Sequence, residues 1–246
     1  MADQLRKFGS ALLDNQAITT KKPFDDAANQ CQNGPMPVVK GVKINTATTW
    51  GYEIANIVFN IPKDKKAKGV YPEEASCESV SVSAIVIGNY LRNDYAEDPY
   101  SHLELNVVSK GKRKDGTAML NSWHLDRHLT DDKSKQPKEA HPIYHFQYGG
   151  QKLRLPDGNY GTHLVLDTPR LMHLPLDAVL GIDFVLSNFL GDLRNRLCDV
   201  KPYYDCVKES QKSIWRPYIH SMAKIWTGYG EANYDWDVKA ICPQIL

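Results

Sequence analysis

The sequence predicts an α+β fold: an antiparallel meander of four to five strands, with N-terminal helices and two or more C-terminal helices packed on one face. Three observations predict it. Apolar residues recur at helical spacing at both ends of the chain. They alternate with polar residues through the middle, and the alternating stretches follow one another with turns and no helical stretch between them.

Leu5, Phe8, Leu12 and Leu13 give residues 3–14 a helical stripe, and a second short helix over 22–32 stops at Asn33-Gly34-Pro35. Residues 35–49, rich in Val, Lys and Thr but broken by Pro and Gly, read as loop or irregular edge strand. Strands follow over 53–61, 78–91, 101–109, 117–128 and 141–150. In the second, Val80, Val82 and Ala84 alternate with serines, and in the third, Leu103, Leu105 and Val107 alternate with polar residues. Strict alternation means one buried face and one that is wet or covered differently. Residues 151–174 are rich in Gly and Pro and read as an irregular connection carrying His163, Arg170 and His173. Helical periodicity returns over 175–226. Pro175 and Asp177 suit a first turn, Leu176, Val179, Leu180, Phe184 and Leu186 form a broad apolar face, and a further helical stretch begins near Pro202. An aromatic tail, 227–246, ends the chain. No repeat or low-complexity linker divides residues 1–246, so a single domain is expected.

A chain of 246 residues, 42% hydrophobic and 24% charged, has the composition of a globular protein large enough to bury a core without metal or disulfide staples. Thirty basic residues against 29 acidic ones leave a formal charge of +1, which supplies no global field for nucleic acid or an anionic membrane. The best candidate for a basic patch, Lys110, Lys112, Arg113 and Lys114, ends in Asp115-Gly116 and reads as a solvated hairpin turn. No run approaches the roughly 18 apolar residues of a membrane span, and the first residues lack the apolar core of a secretory signal. Five scattered cysteines without a CxxC pair fit reduced thiols, so a cytoplasmic location is expected.

Chemistry concentrates in two segments, W-H-L-D-R-H (123–128) and H-P-I-Y-H-F-Q-Y-G-G (141–150). As strands, the first puts His124, Asp126 and His128 on one face. The second puts His141, His145 and Gln147 on one face and turns Tyr144, Phe146 and Tyr148 to the other, toward the core. A symmetric loop pairs His124 with His145 and, in the same register, His128 with His141, the two pairs about 13 Å apart along the strand. Three readings stay open. Each histidine pair could hold a divalent, zinc-like ion if Asp126, Gln147 or His173 joined it, with His124 and His145 the first choice. The imidazoles could divide general acid and base work at a phosphate or acyl centre. Or the residues make ordinary hydrogen bonds on a sheet face. Asp167, Arg170 and His173 in L-D-T-P-R-L-M-H could project toward the same site, with Arg170 and His173 binding a ligand; the alternative is that Asp167 and Arg170 hold the loop. No GxSxG, HExxH, P-loop or dinucleotide fingerprint is present, so no cofactor beyond a metal ion is indicated.

The element order resembles the layout of the ubiquitin-conjugating and RWD-like fold. That family's active members carry a His-Pro-Asn tripeptide ahead of a nucleophilic cysteine. Here His141-Pro142 is followed by Ile143 and no cysteine occurs between Cys77 and Cys198, so the resemblance implies binding without thioester transfer. The segments HPIYHFQYGG and LDTPRLMHLPLDAVLGIDFVLSNF, in the second half of the chain, are similar to uncharacterised proteins of bacterial defence and conflict operons. This resemblance implies an accessory or protein-interaction subunit with an operon-encoded partner, and the hairpin chemistry implies the alternative, a His-dependent or metal-dependent small hydrolase or nuclease.

Overall fold

In the computed structural model, described for residues 1–39, 47–62, 70, 72, 74–89, 98, 100–127, 141–149, 153 and 170–227 (backbone alone for 224–227), two helices open the chain. Helix α1 (Ala2–Asp14) buries Leu5, Phe8 and Leu12 along one stripe, and α2 (Lys22–Asn33) buries Phe24, Ala27 and Ala28 against it. Gly9 permits their close approach: a Cβ there would stand 2.7 Å from Phe24 Cβ. The Phe8 ring in turn stacks on Tyr203, tying α1 to the C-terminal helices.

A six-stranded sheet follows in chain order, every neighbour antiparallel: β1 (Thr49–Asn60), β2 (Ser76–Asn89), β3 (Tyr100–Lys112), β4 (Ala118–Arg127), β5 (Tyr144–Tyr148) and β6 (Leu171–Met172). The meander is therefore one strand longer than the upper expectation. The extra strand is a two-residue edge lying in the stretch read as irregular, too short to show any alternation. Strand β5 begins at Tyr144, not at His141. At the basic hairpin, Gly116 adopts φ +88° and its N–H donates to the Arg113 carbonyl at 3.0 Å, so the lysines flank a tight exposed turn.

Two faces result from the pleat. One is apolar: Tyr52 and Ile54 of β1, Val80 to Val86 of β2, Leu103, Leu105 and Val107 of β3, Leu125 of β4, and Tyr144 and Phe146 of β5 join one buried cluster with the helices. Burial of each such side chain contributes about 1.5–3 kcal/mol. In β1 the alternation would fail between Ile54 and Ile57, but a bulge with Asn56 at φ +44° inserts one residue and returns Ile57 and Phe59 to the core face.

Helix α3 (Ala178–Phe189) packs on this apolar face, where Gly181 abuts Leu105 and Phe184 lies 5.3 Å from Phe146 between ring centres. Asp177 caps it, accepting from the Leu180 N–H at 2.8 Å and from Ser210 Oγ at 3.0 Å, and Gln4 Nε2 donates to Ser210 Oγ at 2.7 Å. Burial pushes the Asp177 carboxyl up to about 6 against the pull of those donors. The backbone turns at Leu190, dividing the first long helical stretch into α3 and α4 (Gly191–Cys198). The second stretch is α5 (Lys201–Ser210), a π-helical turn (Gln211–Trp215) and α6 (Arg216–Thr227). Among the described residues no helix is long and apolar enough to cross a membrane. Residues 128–140, 154–169 and 228–246, and with them His128, His163, Asp167 and the predicted tail, lie outside the described residues.

A buried polar clamp closes the β4–β5 end of the core. Asp98 accepts from Arg127 Nε at 2.8 Å, from the Tyr144 phenol and from the Tyr100 N–H at 3.2 Å, while Arg127 Nη1 donates to the Ser101 carbonyl at 3.1 Å. Arg127 and Tyr144 stand directly opposite each other across the two strands.

Candidate metal centre

The second face of the sheet is polar, and the same alternation that buries Leu103, Leu105 and Leu125 places its residues. Two rows run across β3, β4 and β5: Asn106, His124 and Gln147 in one, Glu104, Asp126 and His145 in the other. His102 and Ser122 belong to the same face by strand parity.

The register differs from the symmetric pairing. His124 lies opposite Gln147, and Asp126 opposite His145, a slip of two residues. The cause is in the core: Arg127 and Tyr144 share Asp98, and Trp123 packs edge-on against Tyr148 at 5.2 Å, so the aromatic and ionic partners set the pairing. Because the slip is even, every side chain keeps its face. The expected His124–His145 cross-strand pair is replaced by a diagonal, their ring centres 6.4 Å apart. His141 precedes β5, and its ring stands 4.5 Å from His145 in an edge-to-face contact; its expected partner, His128, lies outside the described residues.

His124, Asp126 and His145 each offer one ligand atom, and these three atoms lie within 4.8 Å of one another. His124 Nε2 lies 3.4 Å from Asp126 Oδ2, and two ligands of a tetrahedral ion with bonds of about 2.1 Å stand about 3.4 Å apart. His145 is 2% exposed, and its Nδ1 lies 3.1 Å from the Pro142 carbonyl. A carbonyl can only accept, so Nδ1 carries the proton and Nε2 keeps its lone pair, the tautomer in which an imidazole can bind metal through Nε2. Asp126 sits in a poor place for a negative charge. Burial, followed by the facing Glu104 carboxylate, pushes its carboxyl up to about 7, and its Oδ1 is buried without a hydrogen-bond partner among the described residues. Burial lowers the His102 pKa, with Glu104 opposing, so that imidazole stays neutral more readily.

Of the other residues singled out in the sequence, Gln147 is buried in the row beside His124. His173 turns away: its ring packs on Phe146 and Phe184 of the core side, its Nδ1 lies 2.7 Å from the Leu174 carbonyl, and burial lowers its pKa. Its position just past β6 gives it the parity of the apolar face. Arg170 directly precedes β6 and shares the parity of Met172, which lies opposite His145. Glu104, Asn106, His102 and Ser122 were missed by the sequence reading, although the polar half of the alternation in S-H-L-E-L-N marks three of them. An open cleft of about 290 Å³ between α1 and α5, lined by Arg6, Lys7, Asp14 and Pro202 among others, lies on the helical side and gathers no comparable ligand set among the described residues.

Compared with known proteins, the chain matches no protein-family model, no curated protein and no solved structure.

Proposed function

We propose that the chain is a metal-dependent hydrolase that holds one divalent, zinc-like ion at His124, Asp126 and His145. The observation that carries this reading is the convergence of two imidazoles and a carboxylate within 4.8 Å, one imidazole held in its metal-ready tautomer by Pro142. Three protein ligands leave a fourth position for water, and an ion there lowers that water's pKa toward neutrality, supplying hydroxide as a nucleophile. Neutral imidazoles and one carboxylate favour zinc or a similar first-row ion over calcium or magnesium, which prefer all-oxygen shells.

Metal analysis of the full chain after equilibrium dialysis tests the reading. One zinc or cobalt ion per chain is expected, lost in His124→Ala and in His145→Ala with the thermal midpoint of the metal-free proteins little changed. Stoichiometric loading that survives both substitutions defeats it.

A second reading, an accessory subunit of a bacterial defence system that recognises an operon-encoded partner, draws on edge strand β6, where Leu171 and Met172 are 56% and 42% exposed. Charge substitutions there should abolish co-purification with that partner while leaving metal content intact.

A further inference from the structure

Resting on the metal reading, we propose that the same face binds a phosphate-type oxyanion through Arg170, so that the bound ion acts on a phosphoryl group. The ladder between β5 and β6 pairs Phe146 with Leu171 and His145 with Met172. Continued by one residue, it sets Arg170 opposite Gln147, and so in the transverse row that contains His124. Arg170 Nε and Nη1 are both buried, yet neither has a hydrogen-bond partner among the described residues. A guanidinium cannot shed its charge, and desolvating its donors without acceptors is unfavourable, so a bound anion would satisfy them.

A second observation is independent of Arg170. Ser122 is fully buried, and its Oγ too has no partner among the described residues. It belongs to the same face one position along β4 parity from His124. Strands β4 and β6 stand about 10 Å apart, with β5 between them. Buried polar atoms in folded proteins are nearly always satisfied. Here Ser122 Oγ, Asp126 Oδ1 and two Arg170 nitrogens, all without a partner among the described residues, belong to one face by strand parity.

Charge selects the ligand. Asp126 and Glu104 would repel an anion from the metal-free site, whereas a divalent ion with Arg170 outweighs the two carboxylates by one positive charge. Anion and metal should therefore bind cooperatively, each strengthening the other by the same factor. Phosphate is favoured over carboxylate because the orphaned donors come from two elements, β4 and the start of β6, in adjacent rows beside the ion, which suits a tetrahedral oxyanion better than a planar one.

The test titrates inorganic phosphate, and acetate in parallel, into the cobalt-loaded and metal-free full chain, read by calorimetry and by the cobalt absorption bands. Wild type should bind phosphate at least tenfold more tightly when loaded and prefer it to acetate. Arg170→Gln should lose at least tenfold in phosphate affinity with cobalt affinity within twofold of wild type, and Arg170→Lys should fall between. Equal phosphate affinity in wild type and Arg170→Gln, or a preference for acetate, overturns the proposal and leaves the metal reading standing. Failure of wild type to load cobalt defeats the metal reading itself; phosphate binding to the metal-free chain that Arg170→Gln abolishes would then still support the anion site. Ser122→Ala gives the second arm: weaker phosphate binding with an unchanged thermal midpoint supports the shared site, and unchanged binding counts against it.

Discussion

Replacing Asp126 with Asn should move stability in opposite directions with and without metal. In the metal-free chain the Asp126 carboxyl, pushed up to about 7 from an ordinary 3.8 by burial and then by Glu104, is ionised at pH 8 against its surroundings. Three pKa units correspond to about 4 kcal/mol. The side chain is 31% exposed, so solvent screening reduces this, and about 2 kcal/mol is the reasonable expectation. A group raised in the folded state costs nothing below pH 4 and its full penalty above pH 7. Asp126→Asn should therefore equal wild type near pH 4 and exceed it at pH 8 by about 2 kcal/mol, or roughly 4–8 °C in thermal midpoint for a chain of this size. Adding zinc at about a hundredfold excess over its Kd should raise wild type by about 2.7 kcal/mol and leave Asp126→Asn unmoved. Differential scanning fluorimetry at pH 4, 6 and 8, with and without zinc, reads both effects. A variant less stable than wild type at pH 8 without metal, or one that keeps the zinc shift, would refute the reasoning.

Two further predictions concern the frame. Asp177, raised to about 6 in the fold by burial, also costs stability as pH rises through the window from 4 to 6. Asp177→Asn keeps a capping oxygen, so its urea midpoint should track wild type at pH 4 and gain up to about 3 kcal/mol above pH 6.5; a gap independent of pH would sink the account. Gly181→Ala puts a methyl 2.7 Å from Leu105 Cδ1 in a closed interface and should cost about 1–3 kcal/mol by overpacking, measured by chemical denaturation; a neutral result would mean that α3 is free to shift on the sheet.

Much of this architecture is legible because the period of the sequence is the period of the structure. Val80, Val82, Leu103 and Leu105 announce strands and a buried face, and the same pattern places His124 and Asp126 opposite them. What the pattern cannot carry is whatever depends on a partner distant in sequence. The slip that sets Asp126, not His124, opposite His145 is dictated by Asp98, which sits in a stretch without periodicity. The Asn56 bulge breaks alternation in β1, and β6 is too short to have any. His173 looks equivalent to Arg170 in the sequence, but odd and even steps along an edge strand send them to different faces.

The Asp98 clamp reaches further than the core it closes. Sliding β5 along β4 by two residues would keep every histidine on its side, so hydrophobic patterning alone is indifferent to the move; the phenol of Tyr144 and the guanidinium of Arg127, both anchored to one carboxylate, together with the Trp123–Tyr148 contact, distinguish the two alignments. Spatial accuracy among His124, Asp126 and His145 is thus inherited from an ion pair on the other face of the sheet, and a change at Asp98 would detune the polar face from the opposite side.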